Sequence, residues 1–331
     1  MIAPHRAPWW LPGGHAQTVW PALRARSHDR ADPPRHQRTR WTTPDGDFID
    51  VDELRDPTPA GRAPEQVPLL VLFHGLEGSS RSPYALAFAD RARRAGWRFA
   101  VPHFRGCSGE INRAPRAYHS GDHEEIGWIL ARLKARHPGP VLAVGVSLGG
   151  NALLRWTQEA GSTAEPVVRA VAAVCAPLDL TASGHAIGRG LCRWLYTPMF
   201  LRTMKPKALA KLAQHPGLFD ARRLREARTL HAFDDVFTAP LHGFRGVDDY
   251  WRRASALPRL GETRVPALVI NPLNDPFVPA RALPRAMPAG SRVTLWQPGA
   301  GGHVGFAEGA APGDVRGLPD RVIGWMRAHL G

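Results

Sequence analysis

The stretch VLAVGVSLGGN, residues 141–151, decides the fold. Four apolar residues run into Gly-Val-Ser-Leu-Gly, and helix-forming residues follow at once. A continuous apolar run reads as a strand covered on both faces. A serine between glycines, where such a strand meets a helix, reads as a sharp turn that lifts its hydroxyl above the sheet. The glycines relieve the crowding of that turn, and the helix start directs N–H groups and a positive partial charge to the same place. Gly-x-Ser-x-Gly alone is weak, since chance supplies it in about one chain in ten of this length. Ser147 is therefore either an activated nucleophile or an ordinary serine closing a buried strand, and the surrounding sequence has to choose.

On both sides of this stretch, strands and helices alternate. Residues 37–43 and 48–54 read as two strands joined at Pro44-Asp45-Gly46. VPLLVLF (67–73), WRFAVPHF (97–104), VRAVAAVCAP (168–177), VPALVINP (265–272) and RVTLWQ (292–297) supply further strands. Helical patterns cover 84–95, 122–136, 151–160 and 318–330. The second of these has acids in its first turn and bases in its last, which complements the helix dipole. The alternation implies an α/β fold in a single domain, 1–331: a mostly parallel sheet with helices on both faces, led by an antiparallel hairpin. Residues 178–247 break the pattern with several short helices, expected to form a cap inserted between core strands. Leu191, Trp194, Leu195, Met199 and Phe200 there either line an acyl pocket or form the cap's own packing face.

Composition excludes several classes. The chain has 331 residues, 44% of them hydrophobic, enough for one large core and without internal repeats. No run approaches the eighteen or so apolar residues of a membrane span, and the first residues lack a signal peptide's apolar region, so a cytoplasmic location is expected. Cys107, Cys175 and Cys192 are an odd number without a C-x-x-C pair, which suits neither a disulfide framework nor a zinc site. No metal and no organic cofactor is expected. The net charge is +14, but the arginines are dispersed and no nucleic-acid-binding motif accompanies them, so no nucleic-acid partner is expected. Trp9, Trp10 and Trp20 beside arginines suit either peripheral contact with a lipid surface or folding back over the sheet. Oligomeric state leaves no trace in the sequence.

A serine hydroxyl needs a base to take its proton and an acid to orient that base. After a strand–serine–helix turn the expected chain order is serine, acid, histidine. Asp275, in VPALVINPLNDPFVP, follows a late strand at the edge where such sites gather. His303, in GAGGHVGF, follows the last strand in a glycine-rich loop. Asp179 is the rival acid, and Asp275 could instead be a simple turn residue. The GAGGHV run is no dinucleotide loop, because Val304 replaces the last glycine of G-x-G-x-x-G. In FHGLEGSS (73–80), His74-Gly75 turns the chain so that the Leu76 N–H joins that of Leu148 as oxyanion donors. His74 itself reads as structural, and Glu77 either orients the loop or faces solvent. His215 and Asp220, in HPGLFD, echo an acyltransferase spacing but lie in the cap.

HGLEGSSRSPY, FRGCSGEINRAPRAYHSGD, GVSLGGN, NPLNDPFVP and GGHVGF occur in that order, with WWLPGGHAQTVWP before them and FDDVFTAPLHGFRGVDDYW between the third and fourth. Over nearly its whole length the chain resembles the YheT-like branch of the α/β-hydrolases. The resemblance implies an eight-stranded α/β-hydrolase fold and esterase activity on short- to medium-chain esters, some members acting on acylglycerols or phospholipids. Its motif positions fall on Ser147, Asp275 and His303. Two departures stand out: Asn274 replaces the first of two acids that often precede the proline, and the N-terminal anchor of eukaryotic relatives has no counterpart. Cys175 also stands where a serine or similar small residue is usual. The expected function is a serine carboxylesterase that acts on a small-molecule ester through an acyl-enzyme. The alternatives are an acyltransferase using the same acyl-enzyme and a non-catalytic basic binding protein on a hydrolase scaffold.

Overall fold

In the computed structural model, which describes residues 2–55 and 63–330, eight strands form one sheet. They are β1 (His36–Thr42), β2 (Phe48–Leu54), β3 (Leu69–Phe73), β4 (Arg98–Pro102), β5 (Val141–Val146), β6 (Ala170–Val174), β7 (Ala267–Ile270) and β8 (Val293–Trp296). Their order is β1-β2-β4-β3-β5-β6-β7-β8. β1 pairs with β2, and β2 with β4, antiparallel, while every later pairing is parallel.

The parallel strands are buried at every position from β5 to β7 because helices cover both faces. Alternate side chains serve two different cores. Leu69, Val71 and Phe73 of β3 pack with Ile126, Ile129 and Leu133 of α3 (His123–Arg136) and Leu153 of α4 (Leu148–Ala160). Leu70 and Leu72 pack on the opposite face with Phe88 and Ala92 of α2 (Pro83–Arg94) and with Val322 and Met326 of the last helix. A one-residue slip in β3 would exchange the two sets, so the register is strongly specified.

β3 starts two residues later than the apolar run predicts. Pro68 has no N–H to give, and its carbonyl accepts from Arg98 instead. One helix has no forecast in the sequence pattern: α1 (Gly13–Arg24), which opens on two glycines and contains Pro21. Gly14 is required there, since a methyl group would collide with the Asn274 carbonyl oxygen.

Between β6 and β7 the chain forms α5 (Leu180–Ile187), α6 (Gly190–Leu195), α7 (Thr197–Gln214), α8 (Ala221–Glu226), α9 (Leu230–Phe233), α10 (Ala239–Leu241) and α11 (Val247–Ala254). A π-helical stretch, Asp234–Thr238, joins the short α9 and α10. Phe233, Phe237, Leu201 and Leu224 give this insertion a small core of its own. The chain ends on α12 (Gly317–Arg327). No helix among the described residues is long and apolar enough to cross a membrane.

Candidate active site

Ser147 stands alone between β5 and α4 with φ 52° and ψ −119°, a conformation that side-chain-bearing residues rarely adopt. Its N–H donates to the Val174 carbonyl on β6 at 2.7 Å, which holds the turn against the sheet. The flanking glycines are needed for backbone contact. A methyl on Gly149 would sit 2.5 Å from the carbonyl oxygens of Phe73 and His74, and one on Gly145 would strike the Gly149 carbonyl.

His303 reaches this serine from the loop after β8. The Ser147 hydroxyl donates to His303 Nε2 at 3.0 Å, and His303 Nδ1 donates to Asp275 Oδ2 at 2.8 Å. These directions follow from the partners. The other oxygen of Asp275 already accepts the N–H groups of Phe277 (2.7 Å) and Val278 (3.2 Å), so the buried carboxylate faces the imidazole as an acceptor only. The imidazole proton therefore sits on Nδ1, and Nε2 is free to take one.

The loop that carries His303 is fastened by Gln17 and Thr18, which the sequence did not flag, and by Asn274 and Cys175. Thr18 Oγ1 accepts the His303 N–H at 2.8 Å, and Gln17 Oε1 accepts that of Gly301 at 2.9 Å. Asn274 Oδ1 accepts the Gly302 N–H at 3.0 Å, while its Nδ2 donates to Gln17 Oε1. Asn274, in the place of a second acid, thus joins the acid loop to the histidine loop as a neutral two-way partner. Cys175 adds a further tie. It is held at φ 51°, and its sulfur accepts the Val304 N–H at 3.2 Å. Its sulfur lies within 4.8 Å of ligand atoms of Asp275 and His303. Burial, and then the Asp275 charge, push this thiol well above its ordinary range, so on its own it stays protonated.

On the other side of Ser147, the β3 loop is just as constrained. His74 Nε2 accepts the Phe104 N–H at 3.1 Å, so the proton lies on Nδ1, which donates to the Gly75 carbonyl at 2.8 Å. Gly78 N–H donates to the same carbonyl, and Tyr84 Oη accepts the Gly75 N–H. With the Gly75 carbonyl fixed, the trans peptide turns the Leu76 N–H the opposite way. The N–H groups of Leu76 and Leu148 have no acceptor among the described residues, and both residues line the cavity that holds Ser147. Glu77 orients the loop and is not simply solvent-facing. Its N–H donates to Tyr118 Oη, one carboxylate oxygen accepts from that hydroxyl at 2.9 Å, and the other pairs with Lys207 of α7 at 2.8 Å.

The remaining sequence candidates lie elsewhere. Asp179 caps α5 through the Ala182 N–H. Asp220 caps α8, and His215 bonds the Arg113 carbonyl. Leu191, Trp194, Leu195 and Met199 are exposed, and of the five apolar residues named for the cap only Phe200 lines the cavity. That cavity encloses about 1170 Å³ including its open mouth, with Ser147 and His303 in its wall. Ile187, Phe200, Met204, Phe233 and Phe237 from the insertion and Phe277 beside His303 make it largely apolar.

Burial holds the His74 pKa down to about 3, so its donor–acceptor arrangement survives at neutral pH, and His119 in the cavity wall is lowered equally by burial. Both histidines bind protons more weakly folded than unfolded, and this alone makes stability fall as pH drops from 6.5 toward 3. Buried Glu125, raised to about 7, and Asp234, raised to about 6, bind protons more tightly folded and oppose that trend down to about pH 4. Below that the opposition is spent, and Asp47, held near 2 by its hydrogen bonds against the cost of burial, adds to the loss. Burial also lowers the pKa of His36, His137 and His329, which add to the loss below pH 6.5, so denaturant unfolding is expected to show a gentle decline from about pH 6.5 to 4.5 and a steeper fall below about pH 4. A loss of stability below about pH 4 no steeper than that between about pH 6.5 and 4.5 would contradict this account.

Comparison with known proteins adds to this geometry. The profile of the family described as "alpha/beta hydrolase fold" matches residues 68–310. The protein "Putative esterase YheT" of Escherichia coli (strain K12) is 37% identical over 319 residues, covering 96% of this chain and 91% of its own length. Phospholipase ABHD3 of Mus musculus is 32% identical over 251 residues, 74% of this chain, and the chain spans 60% of the mouse protein. Among solved structures, the Pyrococcus furiosus esterase Pf2001 superposes with a TM-score of 0.54 at 14% identity, covering 90% of this chain and 94% of that one, a likeness of fold alone.

Proposed function

Since the chain belongs to the α/β-hydrolase family, in the branch of the E. coli protein just described, we propose that it is a serine carboxylesterase acting on short- to medium-chain esters, lipid esters among them. The observation that carries this reading is the continuous hydrogen-bonded series Ser147–His303–Asp275 in the wall of an apolar cavity.

In this mechanism His303 Nε2 takes the proton of Ser147 as Oγ attacks the ester carbonyl carbon. Negative charge gathers on the carbonyl oxygen, where the free N–H groups of Leu76 and Leu148 receive it; each such donor is worth about two to three powers of ten in rate. The imidazolium that forms keeps its Nδ1 proton against Asp275 and returns the Nε2 proton to the departing alcohol. Water then enters, gives its proton to His303 and cleaves the acyl-enzyme, which frees the acid and restores the serine hydroxyl.

The helical insertion, 178–247, is the cap in this reading, and the apolar residues it turns toward Ser147 hold the acyl chain. p-Nitrophenyl esters from acetate to palmitate test the proposal. Hydrolysis with an optimum at intermediate chain length is expected, because longer chains gain apolar contact until the cavity is filled. A rate at the uncatalysed background for every chain length would overturn it.

A further inference from the structure

The segment from α6 into α7 has two apolar stripes. Cys192, Tyr196 and Phe200, spaced by four, face inward. The Cys192 sulfur bonds the Pro276 carbonyl, and the rings of Tyr196 and Phe200 pack on Phe277 at 4.6 and 6.0 Å. Phe277 in turn lies 4.4 Å from the His303 ring. Leu191, Leu195 and Met199, again spaced by four, point outward together with Trp194, which is 78% exposed. A helix that needs only one apolar face to pack has been given a second one, and it is left in solvent.

The surroundings of this outer stripe say what would cover it. From Leu180 to Phe219 the sequence contains no Asp or Glu. Arg189, Arg193 and Arg202 are exposed and form no ion pair among the described residues, and the Arg193 guanidinium lies 5.9 Å from the Trp194 ring centre. The neighbouring helix α1 is joined here by a Tyr196–His15 hydrogen bond of 3.1 Å, and its last turn exposes Leu23 and Arg24. Gly14 in the first turn of α1 lies against the Asn274 carbonyl, and the adjacent Leu273 is exposed too. Aromatic and aliphatic side chains among unpaired arginines match the apolar edge and anionic headgroups of a lipid bilayer. A second copy of the chain would instead bring arginine against arginine.

We propose that the outer face of α6 and the first turn of α7, centred on Trp194 and Leu195, docks the protein on anionic bilayers. The inner face of the same segment packs on Phe277, beside His303, so the docking face and the triad lie on opposite sides of one helical layer. The docking does not depend on ester chemistry, and the two are measured separately. In a flotation assay the wild type is expected to rise with phosphatidylglycerol vesicles about tenfold more than with phosphatidylcholine vesicles, and less as salt is added. Trp194→Glu/Leu195→Glu is expected to lose about tenfold in this partition, and Arg193→Glu/Arg202→Glu to lose the difference between the two lipids. Both variants should keep wild-type circular dichroism and the wild-type rate on a water-soluble ester. A wild type that stays with the soluble fraction on both vesicles overturns the proposal, as do variants that float like the wild type. A wild-type dimer in sedimentation that Trp194→Glu/Leu195→Glu dissociates would assign the stripe to self-association and overturn it as well. Absence of soluble-ester activity in the wild type would count against the esterase reading and leave the flotation result intact.

Discussion

Ser147→Ala is expected to lower kcat for ester hydrolysis by about 10⁵–10⁶-fold, the scale on which loss of a nucleophile acts when its partners stay in place. The substitution removes one oxygen atom. The backbone strain at φ 52° is much the same for alanine as for serine, and the Val174 bond is made by the main chain, so fold and stability should change little. The cavity wall also stays intact, and substrate should bind with nearly unchanged affinity. Steady-state kinetics on p-nitrophenyl butyrate, with circular dichroism as the control, measures this directly. A well-folded variant that keeps more than about a hundredth of the wild-type rate would mean that another group attacks the carbonyl.

Asp275→Asn is expected to cost about 10⁴-fold in kcat, and the structure gives a specific reason. One carboxylate oxygen is committed to the N–H groups of Phe277 and Val278. An asparagine amide keeps its oxygen on those two donors, which turns its NH₂ toward His303. Nδ1 must then accept, the ring proton moves to Nε2, and Ser147 loses its proton acceptor. The loss should appear in kcat far more than in KM, because the cavity that binds substrate is unaltered. Asp275→Ala leaves the same two amides without partners and should in addition be less stable by about 1–3 kcal/mol. Equal kcat in wild type and Asp275→Asn would remove the tautomer argument.

The sheet was legible because its signals are local. Apolar runs such as LLVLF and VLAVGV state their own burial, and a serine between glycines at the end of one states a turn. Asp275 and His303 were legible for a related reason: each lies just beyond a strand, so the parallel order brings them to one edge. The supports of the site were not legible. Gln17 and Thr18 act on residues 284 and 285 positions away, and nothing in GGHAQTVW marks a helix whose task is to hold a distant loop. The segment around Trp194 failed for a different reason. Its apolar residues fall on both faces of one helix, and spacing alone cannot say which face meets the core. Pocket lining and self-packing are both open to all five residues by spacing, whereas in the structure Phe200 lines the cavity and Leu191, Trp194, Leu195 and Met199 are exposed.

The central claim is that Ser147 is a nucleophile activated by His303. Reaction with an alkyl fluorophosphonate, followed by mass mapping of the digested protein, tests it most directly. In the reaction the serine oxygen displaces fluoride at phosphorus, and His303 takes the serine proton. The account predicts one adduct, on the peptide that contains Ser147, at full occupancy in the wild type and with at least a hundredfold slower labelling in His303→Ala. An adduct on another residue, or equal labelling of the two proteins, would contradict it.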